Sequence, residues 1–247
     1  MKVHINSKYN NISGFINSVP EIFAKEGKTI YDSRNTIKVF EVNGIAINIK
    51  SFKKPNFINR FVYKYIRKSK AERSFMNAFE VLNRGINTPE PIAYIDICKN
   101  GLIDESYYIS VHEQVEGTMK EIYKHPQNES KELIQAFIAF TANLHKKGIL
   151  HKDYSPGNIL FKKDANSYHF YLVDLNRMSF KNIRILDSCK SFSRLRADDH
   201  TLNFISEEYS KKRKYNKRIC QKLIHTYNRR FWKKHLTRHP ESKYEFQ

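Results

Sequence analysis

The sequence predicts an α+β protein in two parts, strand-rich over residues 1–115 and helix-rich over residues 116–247. Three observations carry this. Short β-branched and aromatic runs crowd the first 110 or so residues, two of them flanking Asn43-Gly44, a strong hairpin signal. From Ser130 the apolar period becomes that of a helix. Between the two parts, the polar His112-Glu113-Gln114 and then Gly117 suit a connector.

Thr36–Phe40 and Ile45–Phe52 are the arms of the hairpin, and Gly27 and residues 32–35 supply further turns. A basic segment follows, interrupted by Pro55. Ser69 to Arg84 reads as a helix, because Phe75, Ala78, Phe79 and Leu82 recur at helical spacing and Gly85 can end it. Thr88-Pro89-Glu90-Pro91 cannot prolong a helix, so the chain runs extended over Ile92–Ile97, and Tyr107–Val111 is another strand. In the second part Leu133, Ile134, Phe137, Ile138, Thr141 and Leu144 form one apolar stripe, ended by a basic last turn and Gly148. Ile159–Phe161 and Tyr168–Val173 can pair as a small hairpin across a polar turn. From about Lys190 the chain is polar and helical, with Tyr215, Ile219, Leu223, Thr226 and Tyr227 partly aligned. The only proline after Pro156 is Pro240, which permits long helices there.

Hydrophobic residues at 40% and aromatics at 13% argue against disorder. Cys98, Cys189 and Cys220 stand far apart in sequence, which gives neither a disulfide framework nor a paired metal motif and implies a reducing compartment. The start, MKVHINSKYN, lacks a signal peptide's apolar run, and no stretch of 18 apolar residues occurs. The expectation is a protein soluble or at most peripheral to a membrane. Its formal charge of +19 is unevenly placed. Lys50 to Arg73 holds nine Lys/Arg against Glu72 alone, and Lys211 to Arg238 holds twelve with no acidic residue. Such runs imply an anionic partner: nucleic acid, acidic lipid or a charged substrate.

The residues with chemistry gather around HKDYSPGNILF, residues 151–161. Asp153 and Asn158 lie five apart with a Pro156-Gly157 turn between them, and Asp174 ends the strand-like run YLVD. Phosphoryl transfer needs such a set. One carboxylate orients or deprotonates the attacking hydroxyl, while a second carboxylate and an amide oxygen hold a divalent metal against the phosphates. Oxygen donors of this kind suit magnesium, and no His/Cys cluster competes for zinc.

His151-Lys152-Asp153, four residues, then Asn158 matches the H-x-D-x-x-x-x-N catalytic loop of protein-kinase-like enzymes. Val173-Asp174-Leu175-Asn176 stands where their D-F-G motif would, 21 residues after Asp153, and Lys50, ending AINIK, resembles their third-strand lysine. With IKSFKKPNFINRF and SKAERSFMNAFEVLNRGINTPEPIAY, the chain most closely resembles the lipopolysaccharide core kinases, which phosphorylate heptose or 3-deoxy-manno-octulosonic acid (Kdo).

The resemblance implies a bilobal protein-kinase-like fold with a strand-rich, nucleotide-binding N-lobe and a helical catalytic C-lobe. It implies ATP and Mg2+ as cofactors, Asp153 as catalytic base or orienting residue, and Asn158 and Asp174 as metal ligands. Lys50 would contact the α- and β-phosphates, and His151 is an architectural residue of the loop. Glu72 is the first choice of partner for Lys50, with Glu80 the competitor; about 12 Å of helix rise separates them, so both cannot serve one lysine. The family's members are cytoplasmic enzymes that work at the inner membrane of Gram-negative bacteria. Kdo-lipid A or a heptosylated core, and an acidic membrane surface, are the partners implied.

The chain departs from protein kinases in three places. No G-x-G-x-x-G precedes Lys50, where Gly27 is the nearest candidate for a phosphate-covering turn; no A-P-E follows Asp174; and Asn176 replaces the glycine of D-F-G. Phe231-Trp232, flanked by four cations, could sit at a headgroup interface. Nucleic acid is the weaker reading of the same charge, because no finger or RNP-like pattern occurs. Another acceptor, protein or small molecule, remains an alternative, with a polycationic aminoglycoside disfavoured by the basic balance. So does a kinase-fold protein that binds polyanion or glycolipid without transfer.

Overall fold

The computed structural model describes residues 1–54, 67–123, 127–165 and 167–240. Pro55, Arg60 and Lys64 of the basic segment lie outside them. The chain divides into two compact units: Met1–Gln114 with Asp174–Asn176, and Val115–Val173 with Arg177–Gln247.

The first unit is built on an antiparallel sheet of β1 (Lys2–Ile5), β2 (Lys28–Asp32), β3 (Asn35–Val42), β4 (Ile45–Phe52), β5 (Pro91–Lys99) and β6 (Leu102–Val111), in the order β1-β5-β6-β4-β3-β2. The β3–β4 hairpin forms where expected. Val42 pairs with Ile45, and Asn43 and Gly44 both take positive φ, 51° and 76°, the mirror-image turn that matches strand twist.

Alternation along the strands sorts the two faces. Ile47, Ile49, Ala93, Ile95, Tyr107 and Ile109 enter the larger core with Tyr9, Ile12, Ile16 and Val19. Phe52 and Tyr94 point the other way and pack with Ala71 and Phe75 of helix α2 (Lys70–Asn83). Lys50 shares the parity of Phe52, so it lies on the α2 side of the sheet. Ser69 caps α2 through its hydroxyl, which accepts from Glu72 N, and Gly85, at φ +64°, ends it where the sequence places the stop.

Two strands and one helix of this unit are not expected from the sequence, β2 among them. Strand β1 is short and borders only β5, and helix α1 (Ser13–Ile22) contains Pro20. Ile12, Ile16, Val19 and Phe23 nevertheless recur at helical spacing and are buried, so sheet packing sustains a helix that the proline obscures.

In the second unit helix α3 (Gln127–Lys146) buries the whole predicted stripe from Leu133 to Leu144. Two small sheets follow. Strand β8 (Ile149–His151) pairs with β11 (Met178–Phe180), while β9 (Ile159–Lys163) lies between β7 (Gly117–Thr118) and β10 (Tyr168–Leu172). Helices α4 (Ile185–Lys190), α5 (Asp199–Arg213) and α6 (Lys217–Arg238) complete the unit.

The expected stripe on α6 is wrong. Its buried residues are Cys220, Ile224 and Asn228, one turn apart, while Ile219 is 52% exposed. Asn228 is polar, which hides this face from a search for apolar residues. Folding also joins two cysteines that are distant in sequence: the Cys189 and Cys220 sulfurs lie 3.6 Å apart, both buried, as a thiol–thiol hydrogen bond with no disulfide between them. Among the described residues, no helix is long and apolar enough to cross a membrane.

Candidate active site

In the first unit, strand β4 presents Lys50 to Asp174, Nζ to Oδ1 2.6 Å. The lysine is the better shielded partner, its side chain 13% exposed against 27% for the aspartate. Asp174 does not end a strand, since β10 stops at Leu172; it takes a left-handed conformation at φ +60°. That conformation is disfavoured for a residue with a Cβ, and Asp and Asn tolerate it best. Side chains on either side hold it. Asn176 donates to Asp174 Oδ1 at 2.6 Å, and Asn77 of α2 donates to the Leu175 carbonyl at 2.7 Å. The residue that replaces the motif's glycine thus orients the carboxylate, a role that the sequence alone did not suggest.

Glu72 is not brought to Lys50. Its carboxylate pairs with Lys2 of β1 at 2.9 Å and Lys68 at 3.2 Å. Burial alone would raise its pKa, but the bonds from Lys2 and Lys68 hold it below the ordinary carboxylate range. The competitor Glu80 pairs with Arg84 one turn on, at 2.7 Å. Local charges claim both glutamates, and the aspartate takes the lysine. Gly27 has the positive φ expected of a turn, +81°, but the Phe40 ring packs where its Cβ would stand.

In the second unit the loop after β8 is held by its own histidine. His151 Nδ1 accepts from Asp153 N at 3.1 Å, so Nε2 carries the proton and donates to Val173 O at 3.0 Å. His151 is 2% exposed and links the two ends of the motif region, the architectural role expected of it. Asn158 closes the turn, its Nδ2 donating to Asp153 O at 2.9 Å, and Val173 N donates to Asn158 O at 3.0 Å. Tyr154, buried, hydrogen-bonds Thr141 of α3 at 2.8 Å and pins the loop to the core.

The Asp153 carboxylate is not bare. Arg194 Nη1 sits directly on Oδ1, and Arg177 Nη1 lies 4.0 Å from Oδ2. Arg194 also lies over the Phe231 ring, 5.4 Å from its centroid. Neither arginine stands out in so basic a sequence; only the fold selects them. Trp232 is likewise committed internally, its indole N–H donating to Leu195 O at 2.9 Å. Asp198 caps α5 through Thr201 N, and Asp199 pairs with Arg229 at 2.8 Å.

Each unit therefore carries part of the residue set singled out in the sequence: a lysine on an oriented aspartate in the first, and a braced H-x-D…N loop in the second. The model of the lipopolysaccharide kinase (Kdo/WaaP) family matches residues 57–227, about two thirds of the chain. The chain belongs to this family. The match includes Glu72, Asp153, Asn158 and Asp174; Lys50 precedes it. No curated protein matches this Kdo/WaaP family member.

Among solved structures it is similar to WaaP in complex with acyl carrier protein, with a TM-score of 0.62 and 13% identity over 94% of this chain and 99% of that one. At that identity the likeness shows the fold, which is the kinase-like α+β fold predicted from the sequence. WbdD with the kinase inhibitor LY294002 aligns at a TM-score of 0.48 and 12% identity, over 83% of this chain and 46% of that one.

Proposed function

We propose that this Kdo/WaaP family member transfers the terminal phosphate of ATP to a hydroxyl of Kdo or heptose in the lipopolysaccharide inner core, working at the inner membrane. The observation that carries the reading is the Lys50–Asp174 pair, formed by residues 124 apart in a chain that also keeps a complete H-x-D…N loop. Lys50 serves to bind phosphate oxygens, and Asp153 to orient the acceptor hydroxyl and take its proton.

Asp174 and Asn158 are suited to magnesium. Asn158 is tied through its nitrogen, which leaves the amide oxygen as its ligating end. Among the described residues no cluster of three His, Cys, Asp or Glu forms a metal cage. Magnesium needs none, since it commonly binds through one or two carboxylates plus phosphates and water. When bound, it neutralises charge on the transferring phosphoryl group. The exposed cations of α6, among them Lys222, Arg229 and Arg230, support attraction to acidic headgroups. WaaP's complex with acyl carrier protein supports testing that protein as a further partner.

The test is transfer of label from radiolabelled ATP, with magnesium, to Kdo-lipid A and to heptosylated lipid A, with Asp153→Asn in parallel. Label in one glycolipid, lost in the variant, is expected and selects the acceptor. Magnesium-dependent ATP binding with no transfer to either would redirect the search to another acceptor. Absence of ATP binding would favour a non-catalytic polyanion-binding role.

A further inference from the structure

Beside the catalytic loop, wholly within the second unit, lies a cavity of about 430 Å³. Five cations line it, Lys152, Arg177, Lys181, Lys190 and Arg194, against a single carboxylate, Asp187. That carboxylate is already paired with Lys181 at 2.5 Å. Among the described residues no carboxylate pairs with Lys152 or Lys190, and both are exposed. Gathering like charges around one hollow is unfavourable unless an anion joins them. The walls also offer the Ser179 and Ser193 hydroxyls and the Phe231 ring, groups that suit the hydroxyls and the C–H face of a sugar.

Two of the five cations are the arginines at Asp153. Arg194 covers one carboxylate oxygen and Arg177 stands 4.0 Å from the other. The group assigned to receive the acceptor's proton is therefore engaged by residues that also face the cavity.

We infer that this cavity binds an anionic substituent, carboxylate or phosphate, carried by the acceptor glycan, and that the anion draws Arg194 from Asp153 as it binds. This rests on the sugar-kinase reading and narrows it: the acceptor is a sugar already bearing negative charge close to the hydroxyl that is phosphorylated. Binding and unmasking are one event, so water is a poor substitute for the acceptor. Arg194 exchanges one anion for another and keeps its charge compensated throughout. Lys190 and Lys152 contribute to affinity without touching the base.

The test combines binding and turnover on the full chain. Binding of Kdo monosaccharide, inorganic phosphate and neutral glucose is measured by calorimetry for wild type, Lys190→Gln and Arg194→Gln. Kinetics with Kdo-lipid A, and ATP hydrolysis without acceptor, are measured for the same proteins. Kdo or phosphate should bind and glucose should not, and the tighter of the two identifies the carboxylate or the phosphate as the group read. Lys190 is exposed, so its replacement leaves folding intact; it should weaken anion binding and raise the acceptor KM about tenfold, with kcat within about twofold. Arg194→Gln should weaken binding similarly and increase acceptor-free ATP hydrolysis.

Failure of both anions to bind wild type would overturn the inference, as would an unchanged KM in both variants. A fall in kcat for Arg194→Gln with binding and KM intact would reduce Arg194 to a residue that positions Asp153, and would also overturn it. Lys190-dependent anion binding without transfer to any glycolipid would uphold the cavity and sink the kinase reading. Transfer with no cation-dependent binding would do the reverse.

Discussion

Asn228 offers a direct test of how the second unit holds Arg194 in place. The residue lies in mid-α6 at 1% exposure, and its Nδ2 reaches three carbonyls: Leu195 O at 2.8 Å, and Phe192 O and Ser193 O at 3.3 Å each. One amide nitrogen has two hydrogens, so the three contacts amount to one good bond and one shared between two acceptors. In Asn228→Leu, which keeps the side chain's branching but is larger, Leu195 O keeps the Trp232 indole and Phe192 O keeps Leu195 N. The loss is thus smaller than three orphaned groups, about 2 kcal/mol. At a urea dependence of about 2 kcal/mol/M this lowers the midpoint by about 1 M.

The assay is urea unfolding followed by tryptophan emission, which comes from Trp232 alone and so reports this unit. Asn228→Asp should cost more, because a carboxylate would face the same carbonyls with no hydrogen to give. A midpoint for Asn228→Leu within about 0.25 M of wild type at unchanged slope, which is about 0.5 kcal/mol, would refute the claim that these carbonyls depend on Asn228.

Lys50→Met should lower transfer about a hundredfold or more while leaving the melting temperature nearly unchanged; steady-state kinetics and calorimetry check the two halves of that statement. His145 is buried between Tyr209 OH and Ser191 Oγ, and desolvation, helped by Arg213, lowers its pKa from 6.5 to about 3. The folded chain then stays neutral there while the unfolded chain takes a proton. Stability present in full above pH 6.5 is lost as the pH falls toward 3, by up to about 1.4 kcal/mol per pH unit, and His145→Gln should flatten that slope in urea titrations between pH 6 and 4. Gly27→Ala would place a Cβ 2.5 Å from the buried Phe40 ring at φ +81°, and should destabilise the first unit by about 2–3 kcal/mol in thermal scans.

Where a side chain's neighbours lie within a turn or along one strand, the sequence was readable. The Asn43-Gly44 hairpin, the extent of α2 with its Gly85 stop, and the buried stripe of α3 all follow from local rules of period and φ. Helix α1 and the polar face of α6 did not, because Pro20 and Asn228 break the apolar pattern and are tolerated only through packing and distant carbonyls. The Glu72 assignment failed for a related reason. Helical position limits where a carboxylate can reach but not which cation occupies it, and Lys2, 70 residues away, arrives on a strand that the sequence did not announce.

By itself the sequence determined the chemistry available: an aspartate and an asparagine held five apart by Pro156-Gly157, a second aspartate 21 residues on, a strand lysine, and a charge of +19 that calls for anionic partners. Those are matters of residue type and short spacing, which covalent geometry carries without help. The tertiary structure alone decided the pairings. It put Lys50 on Asp174, bent Asp174 into a left-handed turn stabilised by Asn176, and chose Arg194 and Arg177 from 44 Lys and Arg to stand at Asp153. Charge attraction is nearly blind to sequence distance, so among so many cations only the packed backbone settles which one meets which carboxylate.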